Sequence, residues 1–388
     1  PSAADLRAGL EATEKASTAG APTQRERDYI EAAKAFYTDA QKAGHRARAF
    51  AFSDAMGRLY ERYPADNEAA VFYALTLIAE GMAANDKSFV NEKKAADILN
   101  RVLMTEPQHP GVTHYLIHGY DFPELAHLAL QAARRYAKLA PASAHAQHMP
   151  SHIFTRLGLW QEAIASNIDA KASAEAYAVR HKMPGAWDEK LHAMDYLAYA
   201  YLQSGQDKKA KAVLDEMAAI KRVDPPNFKV AYSVTAIPAR YALERRQWKD
   251  AAAMTTPRSL DGLSWENFKW AAAHIQFARA IGAAHIGDTA SVKQAVEQLS
   301  TIRQDLVEVK GDYDWGKQVE IERQVAAAWL AYSEGDHKEA IRMMSLAAEL
   351  DDATEKHPVT PGAIMPAREQ LGELLLELKQ PAAALIEF

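Results

Sequence analysis

The chain has 388 residues, 48% apolar and 25% charged, with a formal net charge of -6 and no cysteine. Those proportions suit a folded globular chain of two or three ordinary domains or one long repeat array. The mild acidity and the lack of a long basic run argue against a nucleic-acid partner, and the longest apolar stretches, such as 69–79, are too short to span a bilayer.

Residues 1–21 carry Gly, Ser, Thr and Ala and read as a partly ordered lead-in. From 22 onward apolar residues recur at intervals of three and four, which predicts helix throughout and no sheet. Pro and Gly interrupt the helices every roughly 15–40 residues and divide them into hairpins. Pro64, Pro107 and Pro141 close early hairpins, with Pro225 slightly displaced. Residues 82–92 look like an insertion, 177–188 like a longer connection, and 255–265 like another loop. None of these reads as a domain boundary, so 22–388 is expected to be one domain.

Four stretches carry a shared turn. They are Leu157-Gly158-Leu159-Trp160-Gln161-Glu162-Ala163, Ser204-Gly205-Gln206-Asp207-Lys208-Lys209-Ala210, Glu334-Gly335-Asp336-His337-Lys338-Glu339-Ala340 and, without the glycine, Arg245-Arg246-Gln247-Trp248-Lys249-Asp250-Ala251. This pattern resembles the tetratricopeptide repeat family, over nearly all of 25–388. The resemblance implies an all-α, right-handed superhelical solenoid of roughly eight or nine helical hairpins, each burying its apolar face against its neighbours. It also implies that the first helix of each hairpin lines a concave groove.

Two histidine pairs stand out. His114 and His118 are followed by His148 and His152, and the second pair lies 34 residues after the first, the period of the same repeat. Each pair is spaced i, i+4, so on a helix both imidazoles leave one face. By the resemblance, both pairs fall at inward positions, joined by His145 and by His192, Asp195 and Tyr199 of the next repeat, within a His-rich groove at 110–205. His274 is an inward residue two hairpins further on. His45, His109, His181, His285, His337 and His357 fall in turns or polar stretches and read as packing or capping residues.

Imidazole-rich ligation without thiolate suits a transition metal. The expected ligands are His114, His118, His148 and His152, with His145, His192 and Asp195 in reserve, around a mononuclear or closely spaced dinuclear site. Copper is favoured over zinc, iron or nickel. Arg156 and Arg240 are candidates for holding a carboxylate or phosphate of a substrate. Asp195, Tyr199 and Asp121 are candidate bases or hydrogen-bond donors, with nothing in the spacing selecting one. The chain begins at Pro1 without methionine, which fits a processed form. With the avoidance of cysteine it suggests a periplasmic or secreted location, the alternative being cytoplasmic.

No glycine-rich phosphate loop, GxSxG elbow or HExxH motif is present. Any catalysis, oxidative or hydrolytic, would therefore come from the metal acting on a small molecule. The alternative is a non-catalytic scaffold that binds a peptide or partner protein in the groove.

Overall fold

Spacing at three and four becomes helix along almost the whole chain in the computed structural model, which describes residues 3–39, 42–84, 87–255, 260–307 and 313–388. The chain forms two compact units, Pro1–Pro141 and Ala142–Phe388. The first contains α1 (Ala3–Thr18), α2 (Gln24–Tyr37), α3 (His45–Arg62), α4 (Asn67–Ala84), α5 (Val90–Thr105), α6 (Pro110–Gly119) and α7 (Leu130–Leu139). The expected lead-in thus forms a helix of its own, α1. The second unit contains α8 (Ala144–His148), α9 (Pro150–Arg156), α10 (Trp160–Arg180), α11 (Asp188–Gln203), α12 (Asp207–Ala219), α13 (Phe228–Glu244) and α14 (Trp248–Ala252). It continues with α15 (Ala271–His285), α16 (Thr289–Leu306), α17 (Trp315–Ser333), α18 (His337–Asp352), α19 (Ala367–Glu377) and α20 (Pro381–Glu387). Parts of the loops expected at 82–92 and 255–265, namely 85–86 and 256–259, lie outside the described residues.

The hairpin turns share one chemistry. Gly158, Gly205 and Gly335 have φ of 67°, 67° and 86°, the left-handed region that costs glycine least. At each turn the next amide bonds the carbonyl five residues back: Leu159 to Phe154, Gln206 to Tyr201 and Asp336 to Ala331, at 2.8, 2.7 and 2.9 Å. This closes the first helix in a Schellman motif. The glycine-free turn keeps the geometry. Arg246 itself adopts φ of 51°, and Gln247 N–H bonds Ala242 at 2.8 Å. Two further hairpin turns of this shape, at Gly287 and Lys379, are present, and the same shape at Lys182 ends α10. Five residues after each of the six hairpin turn positions stands Ala163, Ala210, Ala251, Val292, Ala340 or Ala384, none more than 1% exposed. A small side chain there lets the second helix lie close against the first.

In the second unit the first helices of the hairpins form a row. α11 packs on α13, α13 on α15 and α15 on α17, while α12, α16 and α18 pack behind them. The expectation of no sheet needs one correction. Residues 186–187 and 223–224, just before α11 and α13, pair as a two-residue parallel ladder. These connections run so close that a Cβ on Gly185 would meet the backbone of Arg222 at 2.8 Å.

Between α18 and α19 the chain does not turn directly. Residues 353–366 run back across the row of first helices. Glu355 pairs with Arg156 of α9 at 2.6 Å, and Tyr313 donates to the Glu355 carbonyl at 3.1 Å. The Gly362 carbonyl accepts from Tyr232 and Arg240 at 3.0 and 3.2 Å. Thr360, Ile364 and Met365 are buried. This strap is an irregular segment of turns and bends lying on the chain's own inner helices.

Candidate metal centre

The second histidine pair spans a break between helices. Pro150 opens α9 and has no N–H to donate to the turn before it, so the helix is interrupted. Met149, however, keeps helical angles of φ -51° and ψ -38°. The i, i+4 relation therefore survives, and His148 Nε2 lies 3.1 Å from His152 Nε2. His192 of α11 completes the group, its ring centred 4.1 Å from that of His148 and 6.5 Å from that of His152. The ligand nitrogens of His148, His152 and His192 all lie within 4.8 Å of one another.

All three rings are dry, with exposures of 1%, 5% and 6%. Burial, reinforced by the neighbouring imidazoles, holds the pKa of His148 and His192 well below the usual histidine value. At neutral pH both are uncharged, as a metal ligand must be.

The tautomer of His148 is readable from its partner. Asn167 of α10 donates its Nδ2 to the Ala163 carbonyl at 2.8 Å. Its Oδ1 then faces His148 Nδ1 at 2.7 Å and can only accept, so Nδ1 carries the proton and Nε2 presents its lone pair to the group. His152 accordingly donates through Nε2 across the 3.1 Å contact. The Tyr196 hydroxyl, 3.3 Å from His152 Nδ1, then acts as donor.

The arrangement fits an ion. Two nitrogens each about 2.05 Å from a tetrahedral metal stand about 3.3 Å apart, near the observed 3.1 Å. Asn167 on His148 Nδ1 is the kind of outer partner that fixes a ligating ring.

The other expected residues are placed as follows. His114 and His118 form a close pair of their own in the first unit, Nε2 to Nε2 3.1 Å, with Tyr136 stacked on His114 at 5.1 Å. Asp121 is half-buried just after α6 in that unit. His145 lies on α8; burial, with the charge of His152 adding to it, lowers its pKa, while Glu189 opposes the shift.

Asp195 is a correction. Instead of joining the imidazoles, its carboxylate accepts from Arg240 at 2.9 Å, both residues being essentially unexposed at 1% and 0%. Arg240 is corrected with it, because its remaining contacts are Tyr232 and the carbonyls of Gly362 and Ala363. It is a fully buried cation held by partners within the chain, its Nε atom alone having no hydrogen-bond partner among the described residues. Tyr199 is half-buried, with the Arg240 guanidinium 5.1 Å over its ring. Arg156 holds the strap through Glu355. Asn167 and Tyr196 carry no mark in the sequence: Asn167 sits on the second helix of its hairpin, away from the inward positions that hold the histidines.

No family model matches the chain, and no curated protein matches it. Among solved structures, a chain in a structure of Naa15/Naa10 bound to HypK-THB is similar over 94% of this chain and 68% of that one, at 13% identity and a TM-score of 0.28. The all-α hairpin architecture stands on the helices themselves. No helix among the described residues is long and apolar enough to cross a membrane.

Proposed function

We propose that this chain is a metal-binding protein of the tetratricopeptide type, which holds one transition-metal ion on His148, His152 and His192. The observation that carries this reading is the buried triad with its ligand nitrogens within 4.8 Å of one another. Imidazole nitrogens without thiolate favour copper, zinc, nickel or iron over magnesium and calcium, and copper leads by intrinsic affinity. Asn167 holds His148 in the ligating tautomer. His152 binds after shifting its proton to Nδ1, where the Tyr196 oxygen becomes the acceptor. A hydroxyl serves either tautomer, so His152 loses no partner in the change.

Three protein ligands leave a fourth position for water or a small molecule, the arrangement from which a bound ion supplies Lewis-acid or redox chemistry. A peptide-binding groove is the weaker reading for this unit, because the strap at 353–366 already lies on the inner helices.

The test is metal content by mass spectrometry after loading with copper, zinc, nickel or iron in turn. About one ion per chain is expected at this site. His148→Ala and His192→Ala should lose it, and His114→Ala should retain it. Equal metal in wild type and in both triad variants overturns the proposal.

A further inference from the structure

A second buried polar group lies further along the row of first helices, on α13, α15 and α17. His274 and Glu322 are 2% and 4% exposed. The Thr235 hydroxyl donates to the carbonyls of Ala231 and Tyr232, at 3.0 and 3.1 Å. Its oxygen therefore accepts from His274 Nδ1 at 2.9 Å. That fixes the tautomer: His274 Nε2 bears a lone pair. It faces Glu322 Oε1 at 3.9 Å, too far for a hydrogen bond. The other oxygen, Glu322 Oε2, is buried with no hydrogen-bond partner among the described residues.

The surroundings are electron-rich. Glu322 lies in the field of a second carboxylate, Asp351. The Tyr232 ring is centred 5.0 Å from the His274 ring and Trp270 5.9 Å from it, with Trp315 stacked on Trp270 at 3.9 Å. Arg240 reaches this region, but its charge is paired with Asp195. A lone pair, an unpartnered carboxyl group, a second acid and aromatic faces together call for a small cation that donates hydrogen bonds.

We propose that Thr235, His274 and Glu322 form a binding site for a small primary ammonium group, which donates N–H bonds to His274 Nε2 and to the Glu322 carboxylate. A nitrogen about 2.9 Å from each atom bridges the 3.9 Å gap with a bent geometry. A transition metal fits less well, since two bonds of about 2.1 Å span that distance only when opened well beyond the tetrahedral angle. A water molecule would satisfy the imidazole but bring no charge, whereas an ammonium ion would hold the buried Glu322 carboxyl group, otherwise protonated, in its ionised form. The site is independent of the histidine triad.

The test uses the full chain in phosphate buffer with chelator, titrated with methylammonium chloride and followed by calorimetry and by Trp fluorescence. Saturable binding is expected, with tetramethylammonium and potassium chlorides inert because neither donates a hydrogen bond. Glu322→Gln should weaken binding roughly tenfold or more, the loss of one charge-assisted hydrogen bond. Thr235→Val, which frees the imidazole to change tautomer, should weaken it by a smaller factor. Circular dichroism establishes that each variant is folded. If Glu322→Gln fails to fold, a slowly exchanging bound signal from 15N-ammonium in the wild type decides. No saturable binding to wild type, equal response to potassium, or unchanged affinity in folded Glu322→Gln overturns the proposal, and a bridging water becomes the reading.

Discussion

The Asn167 side chain accepts the Nδ1 proton of His148 at 2.7 Å, across 19 residues of sequence. Because the amide nitrogen is held by Ala163, this bond selects one tautomer and one ring orientation. Asn167 is thus a positioning residue for the triad. Asn167→Leu keeps the volume and removes the acceptor. It should lower metal affinity by about 10–100-fold, the usual effect of losing such an outer partner, without changing the metal-to-protein ratio at saturation. Competition against a chelator of known affinity measures this; affinity equal to wild type would sink the assignment.

Asp195 and Arg240 give the opposite outcome. Their 2.9 Å pair is fully buried, so removing one partner strands the other charge in a dry interior. Asp195→Ala should destabilise the second unit by about 3–5 kcal/mol and leave the metal content of the folded fraction unchanged. Urea unfolding alongside metal analysis separates the two effects. Loss of metal at unchanged stability would return Asp195 to the ligand set.

The strap is held partly by Arg156 and Glu355, 13% and 28% exposed. At that exposure the pair contributes about 1 kcal/mol, and Tyr232 and Arg240 continue to bind the Gly362 carbonyl without it. Arg156→Ala should therefore leave the melting temperature nearly unchanged while speeding tryptic cleavage after Lys356. Peptide mapping of a short digestion reads this directly. Unaltered cleavage would mean that the strap's anchoring lies elsewhere.

Local signals in the sequence carry far here. The i, i+4 spacing singles out His148 and His152, but it singles out His114 and His118 equally, and the inward position makes His192 only a reserve ligand beside His145 and Asp195; the turns at Gly158, Gly205 and Gly335 mark the hairpins. Arg246 shows the limit of residue type: the turn shape persists at φ of 51° because the flanking helices impose it. What stays hidden is long-range pairing. Arg156 meets Glu355 across 199 residues, and Arg240 meets Asp195 across 45. In the sequence 353–366 is only a Pro- and Gly-containing break between two helices, with nothing local to say where it goes. The two arginines accordingly read as free substrate ligands, although their partners lie within the chain.

The His274–Glu322 pair yields a pH dependence whose sign follows from two opposed shifts. Burial, and then the Arg240 charge, lower His274 from 6.5 to about 3. Burial, and then Asp351, raise Glu322 from 4.5 to about 8. The other groups facing the pair are Thr235, Tyr232 and Tyr313, which stay neutral over this range because burial raises both phenols. For His274 the unfolded chain holds the extra proton between pH 3 and 6.5, so stability rises with pH there. For Glu322 the folded chain holds it between pH 4.5 and 8, so stability falls with pH there. The two cancel where the windows overlap, leaving a rising acid limb, a plateau and a falling limb from pH 6.5 to 8. At about 1.4 kcal/mol per pH unit for one proton, the falling limb is worth about 2 kcal/mol. Glu322→Gln should abolish that limb and keep the acid one. His274→Gln should do the reverse. Urea unfolding in ammonium-free buffer, with each variant compared to wild type at matched pH, cancels the other titrating groups. A stability difference between Glu322→Gln and wild type that stays constant from pH 6.5 to 8 would show that Glu322 ionises normally and that the buried pair is not what the geometry makes it.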